Sequence, residues 1–505
     1  MNHPDENAHS GHAHAGEEGE AFPRVLLGGL VAGQLRREQV RARWQMLFMT
    51  AGLALLALGL PTTRLLGEGP NMVRWTAGDA WVHVHLALMP VVKMLSFLPG
   101  LGAEKAWFFV AAACWAGTYP LLVLTCRELG ASRFTAMVSS LVTLAAPVVW
   151  LAGTLPGPSA PGFLASAFLM RGLLEPWRGQ PDGARPIAQD RLPLVWLGAS
   201  LINLTLVLLY PAVVWAVLRS QRDEVRDASK TWSTIGRLLR APAILAAVFV
   251  LAAWLLPTTF DGLELLRRGW YLVTGNAEQQ VSNILAYALI LAPSLGVGVV
   301  GLWHLAQSPV SDGEARRPSW IWIWCLFPFA FQTLLGRPNL DLATLVLGPI
   351  LTLGLADWLG RSEAAPGSGR RYQLLVLAQV VILLSFALAL RGADPELEWK
   401  RWMRKKVDST DLVLTQSRAH QYLLEHRFNI EAVNLNAADR LTEEERPGWW
   451  TALGERVQSA SAARRRVLLE RSGASASLLG SSRYEHELRA LDLLAPIVRL
   501  DPTRP

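Results

Sequence analysis

Charge is what this chain has least of. Asp, Glu, Lys and Arg make up 18% of 505 residues against 51% hydrophobic ones, and the centres of the apolar runs carry none of the four. Such a balance excludes an ordinary soluble protein and reads as a polytopic membrane protein. Cysteine is nearly absent too. Cys114, Cys126 and Cys325 lie in or beside apolar runs with no C-x-x-C spacing, which excludes a disulfide framework and a zinc knuckle. Residues 1–23 are polar and the first apolar run lacks a small-residue cleavage site, so no N-terminal signal peptide is expected. Ion-coupled transporters need carboxylates at mid-membrane, where they are expensive and therefore functional. Here Asp341 and Asp357 stand only at the ends of their helix, which counts against ion-coupled transport.

What is present points the same way. There are 21 Trp against seven Tyr; indole suits the headgroup level, being apolar with one N–H that wants a partner, and it also suits core packing. The net charge of +7 and pI near 9.6 come from Lys and Arg in short connectors between apolar runs. That distribution is a topology signal, and no nucleic-acid partner is expected.

Residues 1–23 read as a disordered tail. His3, His9, His12 and His14 in it could converge on a transition metal or simply be solvated. Arg36, Arg37, Arg41 and Arg43 form a basic collar that places this end in the cytoplasm. Since about 20 apolar residues cross a bilayer as a helix, spans are expected near 45–62, 106–125, 134–152, 241–257, 281–305, 319–335, 339–358 and 373–390. Residues 160–174 are short, and 192–218 are too long for one span and too short for two. Arginines flank the latter on both sides, so two short helices are expected there, dipping in and returning, broken near Asn203 or Pro211. With that choice the loops 64–105 and 258–280 and the turn 336–339 fall outside the cytoplasm. The tail after the last span emerges on the same side.

Residues 392–505 change character. Strands at 411–415, 430–435, 466–470 and 497–500 alternate with helices at 417–427, 442–461 and 483–494, the pattern of a small α/β domain with a largely parallel sheet. Without cysteine or a Gly-rich phosphate loop, it reads as a binding or structural module. The expected division is a disordered and basic segment 1–44, a membrane domain 45–391, and an extracytoplasmic domain 392–505.

Chemistry concentrates in the 64–105 loop. Arg74, Asp79, Trp81, His83 and His85 fall within about a dozen residues. If 79–90 is helical, Asp79, His83 and Pro90 share a face while His85 points elsewhere. Partial desolvation raises the pKa of a carboxylate at headgroup level and a neighbouring His or Arg74 lowers it, so Asp79 can serve as an ionised base. The competing reading is a solvated loop acid with two interfacial histidines. A divalent cation held by Asp79, His83 or His85 is conceivable, but His-Val-His on a helix splays its rings by about 200°, which disfavours a shared ion.

These features together resemble the C-type (GT-C) superfamily of integral-membrane glycosyltransferases, and within it the protein O-mannosyltransferase-like branch. The resemblance rests on a first helix starting in the cytoplasm and a long first outer loop with Gly78-Asp79. His85 and Pro90 follow the acid, short irregular helices come at 198–210, and the tail resumes with Asp408-Ser-Thr-Asp-Leu-Val-Leu-Thr415. Where members often carry His-Pro-Pro, this chain has His85-Leu86-Ala87. The resemblance implies a mainly α, polytopic GT-C-like bundle with a small C-terminal α/β domain. It also implies a polyprenyl-phosphate sugar donor and Asp79 as base, with His83 and His85 beside it. A leaving phosphate needs cations, and Arg267, Arg268 and Arg337 in the outer loops are the candidates, since a guanidinium fork matches phosphate oxygens; each could instead anchor to lipid headgroups. Arg74, Trp81, Trp270 and Tyr271 are the expected substrate contacts. The expected function is therefore transfer of a sugar, hexosyl or mannosyl, to a protein or envelope glycan outside a bacterial inner membrane. Rival readings are a lipid-linked glycan flippase or exporter and a non-catalytic scaffold.

Overall fold

The computed structural model describes residues 21–60, 72–73, 76–77, 85–174, 187–220, 228–255, 295–307, 320–335, 340–363, 368–392, 403–416, 418–440, 444–470, 488 and 497–500. They divide into two compact units, 1–53 and 54–505. Helix α1 (Ala21–Gly59) supplies the described part of the first unit. Its apolar stretch from Val40 is long enough to cross a bilayer, and Leu47 and Phe48 on it are exposed, as side chains facing lipid are.

The second unit carries the remaining helices. Among the described residues Gly102–Glu128 and Trp232–Ala252 are also long and apolar enough to span, and five shorter apolar helices accompany them. Exposed Leu374, Leu377, Val381, Leu384 and Leu388 recur at helical spacing along the helix Ser368–Gly392. A stripe of that kind has no place in water, and the protein is an integral membrane protein.

The expected span 134–152 is not one helix. It is Arg133–Leu144 followed by Pro147–Thr154, bent by 70°. Pro147 has no N–H to give and drives Ala146 to an extended conformation, so the helix stops and restarts. The break frees the Ala145 carbonyl, which accepts from Gln379 Nε2 at 2.8 Å. The same amide's oxygen accepts from the Val297 N–H at 3.0 Å, beside Gly296 at φ +58°. A Cβ on Gly296 would meet Gln379 Oε1 at 2.5 Å, so glycine is required for the approach as well as for the backbone. One buried amide thus satisfies two breaks, as a low-dielectric interior demands.

Around the other expected break, the helix Ile187–Ile202 ends at Asn203, a short 3-10 turn covers Leu204–Leu209, and a helix resumes over Tyr210–Ser220. Of the two expected positions Asn203 is where the chain breaks. Its Oδ1 accepts from Thr205 N–H at 3.0 Å and its Nδ2 donates to the Pro158 carbonyl at 3.2 Å. Pro211 sits in the first turn of the following helix, where a missing N–H is harmless. Of the expected span 281–305, only 295–305 is described.

The C-terminal strands are β1 (Leu412–Thr415), β2 (Glu431–Asn434), β3 (Val467–Glu470) and β4 (Ile497–Leu500). They form a parallel sheet in the order β2-β1-β3-β4. Alternate residues serve its two faces. Leu412, Leu414, Val467 and Leu469 pack with Trp450, Leu453 and Val457 of the helix Glu445–Ala462. Val413 and Leu468 join a second core that reaches back to Met72, Leu88, Met89 and Trp107. Both faces are covered, as parallel sheets require.

Candidate active site

After His85 the chain enters a helix, Leu88–Ser96, whose buried residues Leu88, Met89, Val92 and Lys93 fall on one face at helical spacing. That face packs on the helix Gly102–Glu128. Trp107, on the first turns of the latter, is fully buried, and its Nε1 donates to Thr76 Oγ1 at 2.8 Å and to the Met72 carbonyl at 3.3 Å. Thr76 Oγ1 in turn donates to the Met72 carbonyl at 2.8 Å. Lys93 is buried, and its ammonium donates to the Thr76 carbonyl at 2.7 Å.

The far end of the segment is tied elsewhere. His85 is buried, and its Nδ1 accepts from the Leu204 N–H at 3.4 Å. That N–H has no helical partner because the chain breaks at Asn203, so the imidazole fills the vacancy left by the break. The Ala87 N–H donates to the Leu201 carbonyl at 3.0 Å, adding a second tie to the same corner. An Nδ1 that accepts places the proton of the neutral ring on Nε2.

Residues 78–84, with Asp79, Trp81 and His83, run between these two anchorages in the sequence and lie outside the described residues, as do Arg74, Arg267, Arg268, Trp270, Tyr271 and Arg337. Of the candidate site residues named from the sequence His85 alone is described, and it ties two parts of the fold together. Among the described residues no three His, Cys, Asp or Glu side chains could share a metal ion.

The α/β module is built onto the same mount. Tyr422, Leu423 and Leu424 of its helix Arg418–Arg427 enter the core with Met72, Val73 and Trp107, and Tyr422 O–H donates to Glu104 Oε2 at 3.0 Å. Within the module, Glu431 is paired with Arg456 and Arg465, each at 2.6 Å. Burial pushes its pKa up, but the hydrogen bonds and charge of the two guanidinium groups outweigh that and hold the carboxyl below its usual range. Arg466 clasps Asp411 through two nitrogens at 2.7 and 3.0 Å; chiefly through that bond its own pKa is raised further. Buried Glu470 accepts from Thr415 Oγ1 at 2.6 Å and meets His420 Nδ1 at 2.5 Å.

Thr76, Lys93, Trp107 and the Glu104–Tyr422 pair were not singled out from the sequence. Lys93 had a legible signal, being the one charged residue in the apolar stretch 86–103.

No protein-family model matches the sequence, and no curated protein matches it. Solved structures do match. ArnT from Cupriavidus metallidurans bound to undecaprenyl phosphate aligns at TM-score 0.54 and 16% identity, over 77% of this chain and 86% of that one. ArnT from the same organism in the apo state aligns at 0.47 and 15%, over 76% and 85%. The chain therefore has a polytopic helical fold of the GT-C kind, with a small parallel sheet near its C-terminus.

Proposed function

We propose that this chain is a membrane glycosyltransferase that takes a sugar from a polyprenyl-phosphate donor and passes it to a protein or envelope glycan on the non-cytoplasmic side. The observation that carries the proposal is the fold shared over 77% of the chain with ArnT crystallised with undecaprenyl phosphate. A lipid-phosphate donor also accounts for a chain built of membrane helices and one small sheet. Asp79 is the base, three residues after Thr76 and six before His85 in the sequence. The protein O-mannosyltransferase-like branch, with a hexosyl group such as mannosyl transferred, is the subtype the sequence resemblance favours.

In the reaction, the Asp79 carboxylate takes the proton of an acceptor hydroxyl. The oxygen attacks the anomeric carbon as the carbon–oxygen bond to phosphate breaks, the electron pair leaves on the phosphate oxygen, and the centre inverts. Arg267, Arg268 and Arg337 take up the negative charge of the leaving phosphate. Arg74, Trp81, Trp270 and Tyr271 contact the substrates, and His83 and His85 flank the base. Met72, Leu88, Met89 and Trp107 share one core with residues of the α/β module, which supports placing both on one side of the membrane; the basic collar favours a cytoplasmic N-terminus in a bacterial inner membrane.

Purified protein offered a panel of polyprenyl-phosphate sugars should release free lipid phosphate with one of them. Asp79→Asn should lower that release at least about 100-fold while inserting normally; undiminished release removes Asp79 from the mechanism. Lipid movement across a vesicle without phosphate release would identify a flippase instead. Arg268→Ala should raise the KM for donor more than that for acceptor, and equal effects would make it a structural anchor. A reporter fused after Arg391 should read non-cytoplasmic.

A further inference from the structure

The edge from which the strands of the sheet start gathers basic side chains from two stretches far apart in sequence. Arg404, Lys405 and Lys406 lie on a helical turn before β1, and Arg464, Arg465 and Arg466 on the turn before β3. The two turns interlock: Arg465 Nε donates to the Thr410 carbonyl at 2.5 Å, an Arg466 guanidinium nitrogen donates to the Lys406 carbonyl at 3.5 Å, and the Leu412 N–H donates to the Arg466 carbonyl at 2.9 Å. Asp408 and Asp411 are taken by Arg466, and Glu431 by Arg456 and Arg465. Arg404, Lys405, Lys406 and Arg464 are exposed and pair with no carboxylate among the described residues. Cations crowded in this way repel one another and destabilise the module unless an anion joins them.

Arg464 sharpens the point. It ends the helix Glu445–Ala462 at φ +56°, a left-handed conformation that glycine adopts freely and a side chain does not. The turn itself is closed by main-chain bonds, from the Arg464 N–H to the Ser461 carbonyl and from the Arg465 N–H to the Ala460 carbonyl, each at 2.9 Å, and these a glycine would make as well. The guanidinium therefore stands here against local preference, with no described bond to offset it. Strain of that kind belongs with function.

The surroundings name the anion. Met403, on the same turn as Arg404–Lys406, is buried in the core with Leu88, Met89 and Trp107. Trp107 lies at the start of Gly102–Glu128, which is long and apolar enough to span a bilayer. On the helix Leu88–Ser96 and the turn after it, Val91, Met94, Phe97 and Leu98 are exposed beside that same core, and Lys105 is exposed on the first turn of the span. Apolar side chains next to cations at the end of a span are the composition of a surface lying between headgroups and acyl chains.

We propose that this edge of the module binds the phosphates of anionic phospholipids in the bilayer surface, with Arg404, Lys405, Lys406 and Arg464 as the cations. The module is thereby held against the membrane by charge as well as by its packing on the helices. The inference involves neither Asp79 nor the sugar donor, and it holds equally for a transferase and a flippase.

The test places the full-length protein in discs of phosphatidylcholine and in discs carrying about 30% phosphatidylglycerol, and follows deuterium uptake at residues 403–407 and 463–466. Uptake should fall in the anionic discs, and about 0.5 M salt should remove most of the difference. Arg464→Gly should shrink the difference by about half, while the unfolding temperature in neutral discs holds or rises because the strain is gone. The triple variant Lys405→Gln, Lys406→Gln, Arg464→Gly should abolish the difference and insert normally. Equal uptake in the two kinds of disc, or a difference that survives in the triple variant, overturns the proposal. So does equal protection by inorganic phosphate in neutral discs, which would make the edge a site for a soluble anion.

Discussion

The helix bundle and the α/β module solve the same problem with opposite chemistry. In the bundle, breaks are closed by neutral side chains: Gln379 serves Ala145 and Val297, Asn203 serves Thr205 and Pro158, and Thr352 Oγ1 donates to Thr143 Oγ1 at 2.9 Å. In the module the polar joints are ionic, Arg466 with Asp411 and Asp408, and Glu431 with Arg456 and Arg465. Hydrocarbon makes an unmet amide costly and a charge more so, while water makes an ion pair cheap and weak. The neutral contacts named in the bundle should therefore be strong and indifferent to pH, and the ion pairs of the module weak and responsive to it.

The largest effect should come from Gln379→Leu. It leaves a buried N–H and a buried carbonyl unmet, and should cost about 2 to 5 kcal/mol of stability in detergent, read from thermal unfolding at several pH values and independent of them. A loss that varies with pH would break the contrast. Trp107→Phe, at the boundary between the two regions, keeps most of the packing and removes one donor. It should cost about 1 to 2 kcal/mol, and should loosen both residues 72–77 and the helix Arg418–Arg427 in hydrogen exchange. Loosening of one without the other would mean that the shared core does not act as one.

Glu431→Gln should have the smallest effect and the sharpest signature. The carboxyl's folded pKa lies below its unfolded one. Its contribution is thus present above the unfolded value, near pH 4.3, and is lost as pH falls through the folded value. Wild-type module should lose stability over that acid window, Glu431→Gln should lose less, and 1 M salt should narrow the gap between them.

What could be read from the sequence follows the same division. The four strands were legible because short apolar runs alternate with helical segments from Asp411 onward, a pattern that calls for a parallel sheet without fixing the strand order. A break near Asn203 or Pro211 was legible from a run of the wrong length between two arginine clusters, and the structure chooses Asn203. The bend at 145–147 was not, because 134–152 is apolar throughout and Pro147 alone does not reveal that Gln379, more than two hundred residues later, waits for the freed carbonyl. Nor was the mount around Thr76. Lys93 could have been noticed as a lone charge, but Trp107 reads as one more interfacial indole until Thr76 is found 2.8 Å away. Of the candidate site, His85 is the residue whose surroundings are described, and spacing gave no hint that it would meet Leu204.

The bond between Tyr422 and Glu104 closes a separation of 318 positions, and the core around Met72 also takes in Leu468. During translation, then, the first loop enters the world long before its foundation exists. Until the ribosome has delivered the third strand, the core around Met72, Leu88 and Trp107 lacks Leu468. A message cut short anywhere before Leu468 should therefore yield a chain in which that core is never completed.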